Sequence, residues 1–157
     1  MDIVSDRIHA TCVALGDHCV LIRGPSGSGK SDLALRFLAS RAIGGEDDRQ
    51  RRLVADDQVE LRRQGSRVMA LAPSSFNGKL EVRGVGIVDV ASIATSTVVL
   101  VVDLVMRDAV ERMPDWRSRA TLLGVTVPHL QLHAFDVSAP LKLALAIELA
   151  REIYSKS

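Results

Sequence analysis

The chain has 157 residues and a formal net charge of +1, which suits a single domain spanning residues 1–157 and leaves no broad basic footprint for nucleic acid. Apolar residues make up 47% and charged residues 25%, while only 3% are aromatic, so a core has to be built from Val, Leu, Ile and Ala. No apolar run reaches the roughly 18 residues of a membrane span, the acidic start (Asp2, Asp6) lacks a signal-peptide core, and two cysteines in strand-like runs, Cys12 and Cys19, suit free thiols of a reducing compartment; the cytoplasm is the expected location.

Residues 8–15 read as one strand, Gly16 and Asp17 as a turn, and residues 18–23 as a second strand, so the two form a hairpin. Next comes Gly24-Pro25-Ser26-Gly27-Ser28-Gly29-Lys30-Ser31, the pattern G-x-x-x-x-G-K-S, followed by a helix expected over residues 30–41 with Leu33, Phe37 and Leu38 on its core face. Strand, glycine-rich loop and helix in that order make a phosphate-binding turn. Glycines let backbone N–H groups curl around phosphate oxygens, and the helix N-terminus adds partial positive charge. Lys30 can reach the β- and γ-phosphates, and the Ser31 hydroxyl can ligate Mg²⁺. A glycine-rich turn with a chance lysine is the competing reading, but the fixed positions and both flanks match. The loop therefore points to a nucleotide di- or triphosphate.

Residues 44–52 change character, with two glycines followed by mixed charge, and read as a solvated loop rather than a nucleic-acid patch. Residues 53–57 then form a short strand ending in two carboxylates, Asp56 and Asp57. Strand C-termini line the ligand crevice of α/β nucleotide folds, where a carboxylate can hold Mg²⁺ or accept a proton. Two more strands are expected over 58–61 and 67–71, and a loop over 72–79. Residues 80–87 read as one strand that places Glu81 and Arg83 on the same face, with Gly84 and Gly86 allowing a bend. By spacing alone, that pair is an ordinary salt-bridged surface. Residues 89–95 suggest a single helical turn, and residues 97–104 a strand buried on both faces. Residues 117–124 and 126–132 read as short strands, with Pro128 favouring an edge. The last element is a helix over 138–154, with Ser138 as cap and Pro140 in its first turn.

Taken together, these motifs resemble the catalytic domain of bacterial HPr kinase/phosphorylase, a phosphate-loop kinase related in fold to phosphoenolpyruvate carboxykinase. The resemblance rests on the loop at 24–31, on Leu53-Val54-Ala55-Asp56-Asp57, on Glu81-Val82-Arg83-Gly84-Val85-Gly86-Ile87, and on His9 before the loop, where Ala10 replaces the usual glycine. It implies an α/β fold with a mixed β-sheet flanked by helices, and ATP and Mg²⁺ as cofactors. It also implies roles: Lys30 and the loop amides hold phosphates, Ser31 and Glu81 serve the Mg²⁺ site, and Asp57 is the base that takes the proton from a substrate serine. His9 tunes Asp57, while Arg83 and Arg112 contact phosphoryl oxygens. The implied partner is HPr or an HPr-like phosphocarrier of the phosphotransferase system, with no nucleic acid and no membrane, in a homo-oligomer that is a hexamer in the family.

Departures limit what carries over. The chain resembles a short form without the family's N-terminal domain. The family segment tied to dephosphorylation is replaced by Phe135-Asp136-Val137-Ser138-Ala139-Pro140-Leu141-Lys142, so the resemblance carries over the kinase residues and leaves phosphorylase activity open. Two other readings stand beside the protein kinase. One is a small-molecule kinase whose acceptor pocket draws on Arg107, Arg112, Arg117 and Arg119; the other is a non-catalytic nucleotide sensor.

Overall fold

The computed structural model describes residues 5–40, 49–73 and 76–156. Its elements in chain order are β1 (Ser5–His9), β2 (Thr11–Leu15), β3 (His18–Arg23), α1 (Lys30–Ala39), β4 (Arg51–Ala55), β5 (Gln58–Gln64), β6 (Arg67–Leu71), β7 (Lys79–Val82), β8 (Gly86–Asp89), β9 (Thr95–Leu104), β10 (Arg119–Leu122), β11 (Val125–Leu132) and α2 (Ala139–Ser155). Among these residues, β7 and β8 make a two-stranded ribbon and the rest a nine-stranded mixed sheet. Its path runs β1-β5-β6-β9-β3-β2-β4, with β11 pairing β9 and β10. The parallel members are β3, β9 and β11.

That order forces the sheet to curl. Strands β1 and β2 stand near opposite ends of the path, yet only Ala10 separates them in the chain. Strands β4 and β5 repeat the arrangement, with only Asp56 and Asp57 between them. Both ends must therefore meet, and the two junctions lie side by side where they do: Ala10 N–H donates to the Asp57 carbonyl at 3.1 Å. The single strand expected over 8–15 is thus two strands with different partners, β5 for the first and β3 and β4 for the second. Alternation alone could not report the break, because apolar and polar residues alternate without interruption from Ile8 through Cys12.

Curling divides the core by sheet face. Cys12, Ala14, Cys19, Leu21, Val54, Val59 and Val68 pack inside the curl, against Ala120, Leu122 and Val127 of the β10–β11 hairpin. On the other face Val13, Val20, Ile22, Leu100 and Val102 meet Leu33 and Phe37 of α1 and Leu143 and Ile147 of α2. Small side chains inside and larger ones outside suit a strongly bent sheet. Burial, followed by the neighbouring Cys19, holds the Cys12 thiol well above its ordinary value, so this sulfur acts as packing. Strand β9 is buried on both faces, as its unbroken apolar run requires, but with a register shift opposite the Cys19/Val20 step. Val99 and Leu100 consequently both face the helices, and Val101 returns to the inside.

Four further expectations are corrected. Residues 80–87 do not form one strand: β7 and β8 are antiparallel, Glu81 faces Ile87 across the ribbon, and Arg83, Gly84 and Val85 make the turn. Glu81 and Arg83 therefore do not share a strand face. The acidic end of the strand expected over 53–57 lies outside β4, which ends at Ala55. Residues 89–95 hold no helical turn; Leu53 donates to the Ala91 carbonyl and accepts from Ile93, an isolated parallel bridge that ties the ribbon to β4. Ser138 occupies the N-cap position of α2 but makes no side-chain cap bond, although Pro140 does sit in the first turn. Pro128 sits where β11 leaves β10 for β9, each side claiming different residues, so its missing N–H costs no ladder bond. Most of the loop expected over 44–52 lies outside the described residues.

At the C-terminal ends of the parallel strands, Asp103 of β9 joins all three. Arg23 of β3 donates to it through Nε at 2.7 Å and a terminal nitrogen at 2.9 Å, and His129 Nε2 of β11 lies 2.7 Å away. Burial opposes the Asp103 charge, but the bonds from Arg23 and then His129 outweigh it and hold the carboxyl below its ordinary value. A carboxylate depressed in the folded state contributes stability above its unfolded pKa and loses it as pH falls through the folded value. Asp103→Asn should therefore destabilise the protein at pH 7 by about 1–3 kcal/mol. Urea titrations across pH should show the difference from wild type shrinking below roughly pH 4.

Candidate functional site

The loop between β3 and α1 is built around Gly29, whose φ of 99° is a backbone conformation L side chains rarely adopt. A Cβ there would also stand 2.9 Å from Ala134 Cβ and 2.9 Å from the Phe135 ring. Conformation and crowding both require glycine, and Lys30 follows as the first residue of α1. The Lys30 side chain curls back over its own loop, donating to the carbonyls of Gly24 at 2.7 Å and Pro25 at 3.1 Å. It is only 6% exposed, and no carboxylate pairs with it among the described residues. A buried ammonium without a counter-charge beside a helix N-terminus fits an anion such as a polyphosphate.

Next to it, three donors converge on Asp56. Ser31 Oγ donates to Oδ1 at 2.6 Å, Thr11 Oγ1 donates to the same oxygen at 3.2 Å, and Glu81 N–H donates to Oδ2 at 3.2 Å. This carboxylate joins the phosphate loop to β2 and to the ribbon. Asp57 follows with φ 66°, a left-handed conformation that Asp and Asn tolerate better than other non-glycine residues. Its N–H donates to Thr11 Oγ1 at 3.3 Å, and its Oδ1 lies 2.6 Å from His9 Nε2. The His9 and Asp57 side chains are 41% and 62% exposed, so a large molecule can reach them.

A cavity of about 670 Å³ gathers these parts: Ser26, Gly27, Gly29, Lys30 and Ser31 from the loop, Asp56 and Asp57 from the seam, and Glu81, Arg83, Gly84 and Gly86 from the ribbon. The ribbon reaches the loop because Leu80 is buried in the core beside α1. Among the described residues no group of three or more His, Cys, Asp or Glu could hold a metal by itself. A divalent cation here needs phosphate oxygens in addition to Ser31, Asp56 or Glu81, the usual manner of Mg²⁺.

The residues expected from sequence thus divide. Gly24 through Ser31, His9, Asp57, Glu81 and Arg83 come together. Arg112 does not line that cavity; it lines a separate one with Arg107, Glu111, Asp115, His129 and Lys142. Of the four arginines considered for an acceptor pocket, Arg107 and Arg112 line this second cavity; Arg107 pairs with Asp136 at 2.8 Å, Arg117 pairs with Asp115, and Arg119 donates to the carbonyls of Trp116 and Ser118. Sequence reasoning named both Asp56 and Asp57, gave a specific role to Asp57 alone, and passed over Thr11. The adjacent carboxylates were visible, but which one faced Ser31 depended on the left-handed turn at Asp57.

Known proteins resemble this chain. A family model described as the HPr serine kinase C-terminal domain matches residues 3–156. The HPr kinase/phosphorylase of Bordetella pertussis is 38% identical over 142 residues, covering 83% of this chain and 42% of that protein. The protein of the same name from Clostridium acetobutylicum is 39% identical over 87 residues, covering 55% and 26%. The chain spans less than half the length of these curated relatives. Among solved structures, the HPr(Ser) kinase/phosphatase from Coxiella burnetii superposes with a TM-score of 0.74 at 26% identity, covering 96% of this chain and 95% of that one. The α/β architecture implied by the sequence resemblance is the one observed.

Gly29 offers a direct check on the loop. Gly29→Ala should cost about 1–3 kcal/mol of stability through backbone strain and should abolish binding of inorganic tripolyphosphate. Thermal unfolding and titration calorimetry on the same samples measure both effects.

Proposed function

The chain belongs to the HPr serine kinase C-terminal domain family, and from that premise we propose that it is an ATP-dependent serine protein kinase. Its acceptor is a serine hydroxyl of HPr or an HPr-like phosphocarrier of the phosphotransferase system, and it works in the cytoplasm. No helix among the described residues is long and apolar enough to cross a membrane. The observation that carries the reading is the placement of His9 and Asp57. They form a solvent-accessible carboxylate–imidazole pair, bonded through Thr11 to the carboxylate that holds Ser31 of the phosphate loop.

The residues divide the work. Lys30, already buried beside the loop carbonyls, turns to the phosphate chain and neutralises charge developing between its β and γ groups. Ser31, Asp56 and Glu81 are the oxygen donors that would hold Mg²⁺, which would offset the negative charge of the phosphates. Asp57 accepts the proton of the incoming hydroxyl. Its backbone conformation aims the carboxylate away from Asp56, so one carboxylate serves the loop and the other the acceptor. His9 fixes the Asp57 carboxylate by its 2.6 Å contact. Arg83, on the ribbon turn that lines the cavity, supplies positive charge to the transferring group. A base with more than half its side-chain surface exposed suits a protein hydroxyl, since a metabolite kinase gains from enclosing its acceptor.

The test is transfer of labelled phosphate from ATP to purified HPr-like carriers, with the modified residue located by mass spectrometry. Asp57→Asn keeps a residue tolerant of the left-handed conformation and should lower turnover roughly 10²- to 10⁴-fold with little change in ATP affinity. Lys30→Ala should lose both transfer and tight ATP binding. A wild-type protein that labels no phosphocarrier would sink the acceptor assignment.

A further inference from the structure

Among the residues lining the main cavity, Phe135 is the sole aromatic one. In a chain with three phenylalanines, one tryptophan and one tyrosine, it is also one that the core does not use, being 56% exposed. Its ring lies directly against the phosphate loop, 2.9 Å from the point where a Gly29 Cβ would stand.

An exposed ring on a loose loop would mean little, but this one is held from several sides. Arg36 of α1 donates to the carbonyls on either side of Phe135, those of Ala134 and Asp136, and is itself fixed by Asp32 at 2.9 Å. The Asp136 carboxylate is gripped by Arg107 at 2.8 Å and approached by Lys142 at 3.6 Å. On the other side His133 meets the Val105 carbonyl at 2.9 Å through Nδ1 and packs edge-on against the Phe135 ring, with centroids 5.9 Å apart. The backbone is tied to the helix that begins at Lys30, so ring and phosphate loop keep a fixed relation.

The polarity of the site says what the ring is for. Lys30 and Ser31 mark the β/γ end of a bound phosphate chain, and Asp56, Asp57 and Glu81 cluster at that end. The nucleoside must leave on the side without carboxylates clustered around Ser31. Apart from the loop, the seam and the polar and glycine positions of the ribbon, the lining consists of Asp32, Leu35, Val82 and Phe135, and of these Phe135 alone offers a flat apolar face. We propose that Phe135 is the platform on which the nucleotide base stacks, which makes it a specificity-determining residue of the donor site. The inference rests on the nucleotide-site reading above and adds the base subsite to it. An aromatic face without base-edge partners discriminates between nucleotides and bare polyphosphates more than between one purine and another.

Titration calorimetry with ATP and with inorganic tripolyphosphate, both with Mg²⁺, separates the outcomes. Phe135→Ala should weaken ATP binding roughly 5- to 100-fold and leave tripolyphosphate binding unchanged, while Phe135→Trp should retain ATP affinity. Equal loss for both ligands in Phe135→Ala would overturn the proposal, because the ring would then be shaping the loop. So would unchanged ATP affinity with a raised KM for the phosphocarrier, which would assign the ring to the acceptor. If the wild type binds tripolyphosphate as tightly as ATP, the base platform falls while the phosphate site stands. If it binds neither, both readings fall together.

Discussion

Everything at the site depends on the closure of the sheet. A single residue joins β1 to β2, and two join β4 to β5, although each pair is separated along the strand order. Neither link is long enough to cross an open sheet of this width, since each residue spans at most about 3.6 Å. The sheet must bend until its ends touch, and the hydrogen bonds of that contact belong to His9, Ala10, Thr11, Asp56 and Asp57. The groups proposed to react are thus the seam of the fold. Their positions are fixed by strand pairing on both sides rather than by side-chain packing alone, which is the kind of rigid support a catalytic group needs.

The rest of the molecule serves this bend. An interior of alanine, cysteine and valine lets strands approach closely, and the bulk of Phe37, Leu100, Leu143 and Ile147 is kept for the face that carries α1 and α2. Low aromatic content is therefore consistent with the architecture. The ribbon of β7 and β8 is anchored by Leu80 and the bridge to Leu53, so Glu81 reaches Asp56 from outside the main sheet. Three layers of structure, the phosphate loop, the seam and the ribbon, are brought to one carboxylate. A change at Asp56 should be felt by all three.

Much of this was legible in the sequence, and the failures have a common cause. The phosphate loop announced itself because its chemistry is local: glycines, lysine and serine act at fixed spacing within one turn. The strands were visible because apolar residues in them are consecutive or alternate. What escaped were the places where the chain changes partner without changing composition. Ala10 continues the alternation of Ile8, His9, Thr11 and Cys12, so nothing marked the passage from β1 to β2. The ribbon turn at Arg83, Gly84 and Val85 was marked only by its glycines and by a change of phase, Val85 and Ile87 following Leu80 and Val82, which a bend within one strand fits as well as two strands. Asp56 and Asp57 looked alike, and which of them meets Ser31 and which meets His9 is set by the two-residue link between β4 and β5. Arg112 was placed by resemblance and lies in the separate cavity beside His129, where no local signal could have put it.

The irregularity in β9 has a consequence for how this gene tolerates length changes. Counting by twos from Val98 would carry Asp103 to the helix side of the sheet, away from Arg23 and His129. The additional residue at Val99 shifts the phase once, so that the inward positions after it are Val101 and Asp103. Loss of one codon at Val99 would straighten the strand and leave every later residue on its present side. Loss of one codon at Val101 or Val102 would turn Asp103 under the helices and leave Arg23 and His129 without the carboxylate they now share. Two single-residue deletions within a few positions of each other thus differ in kind: one removes a kink, the other inverts the end of a strand.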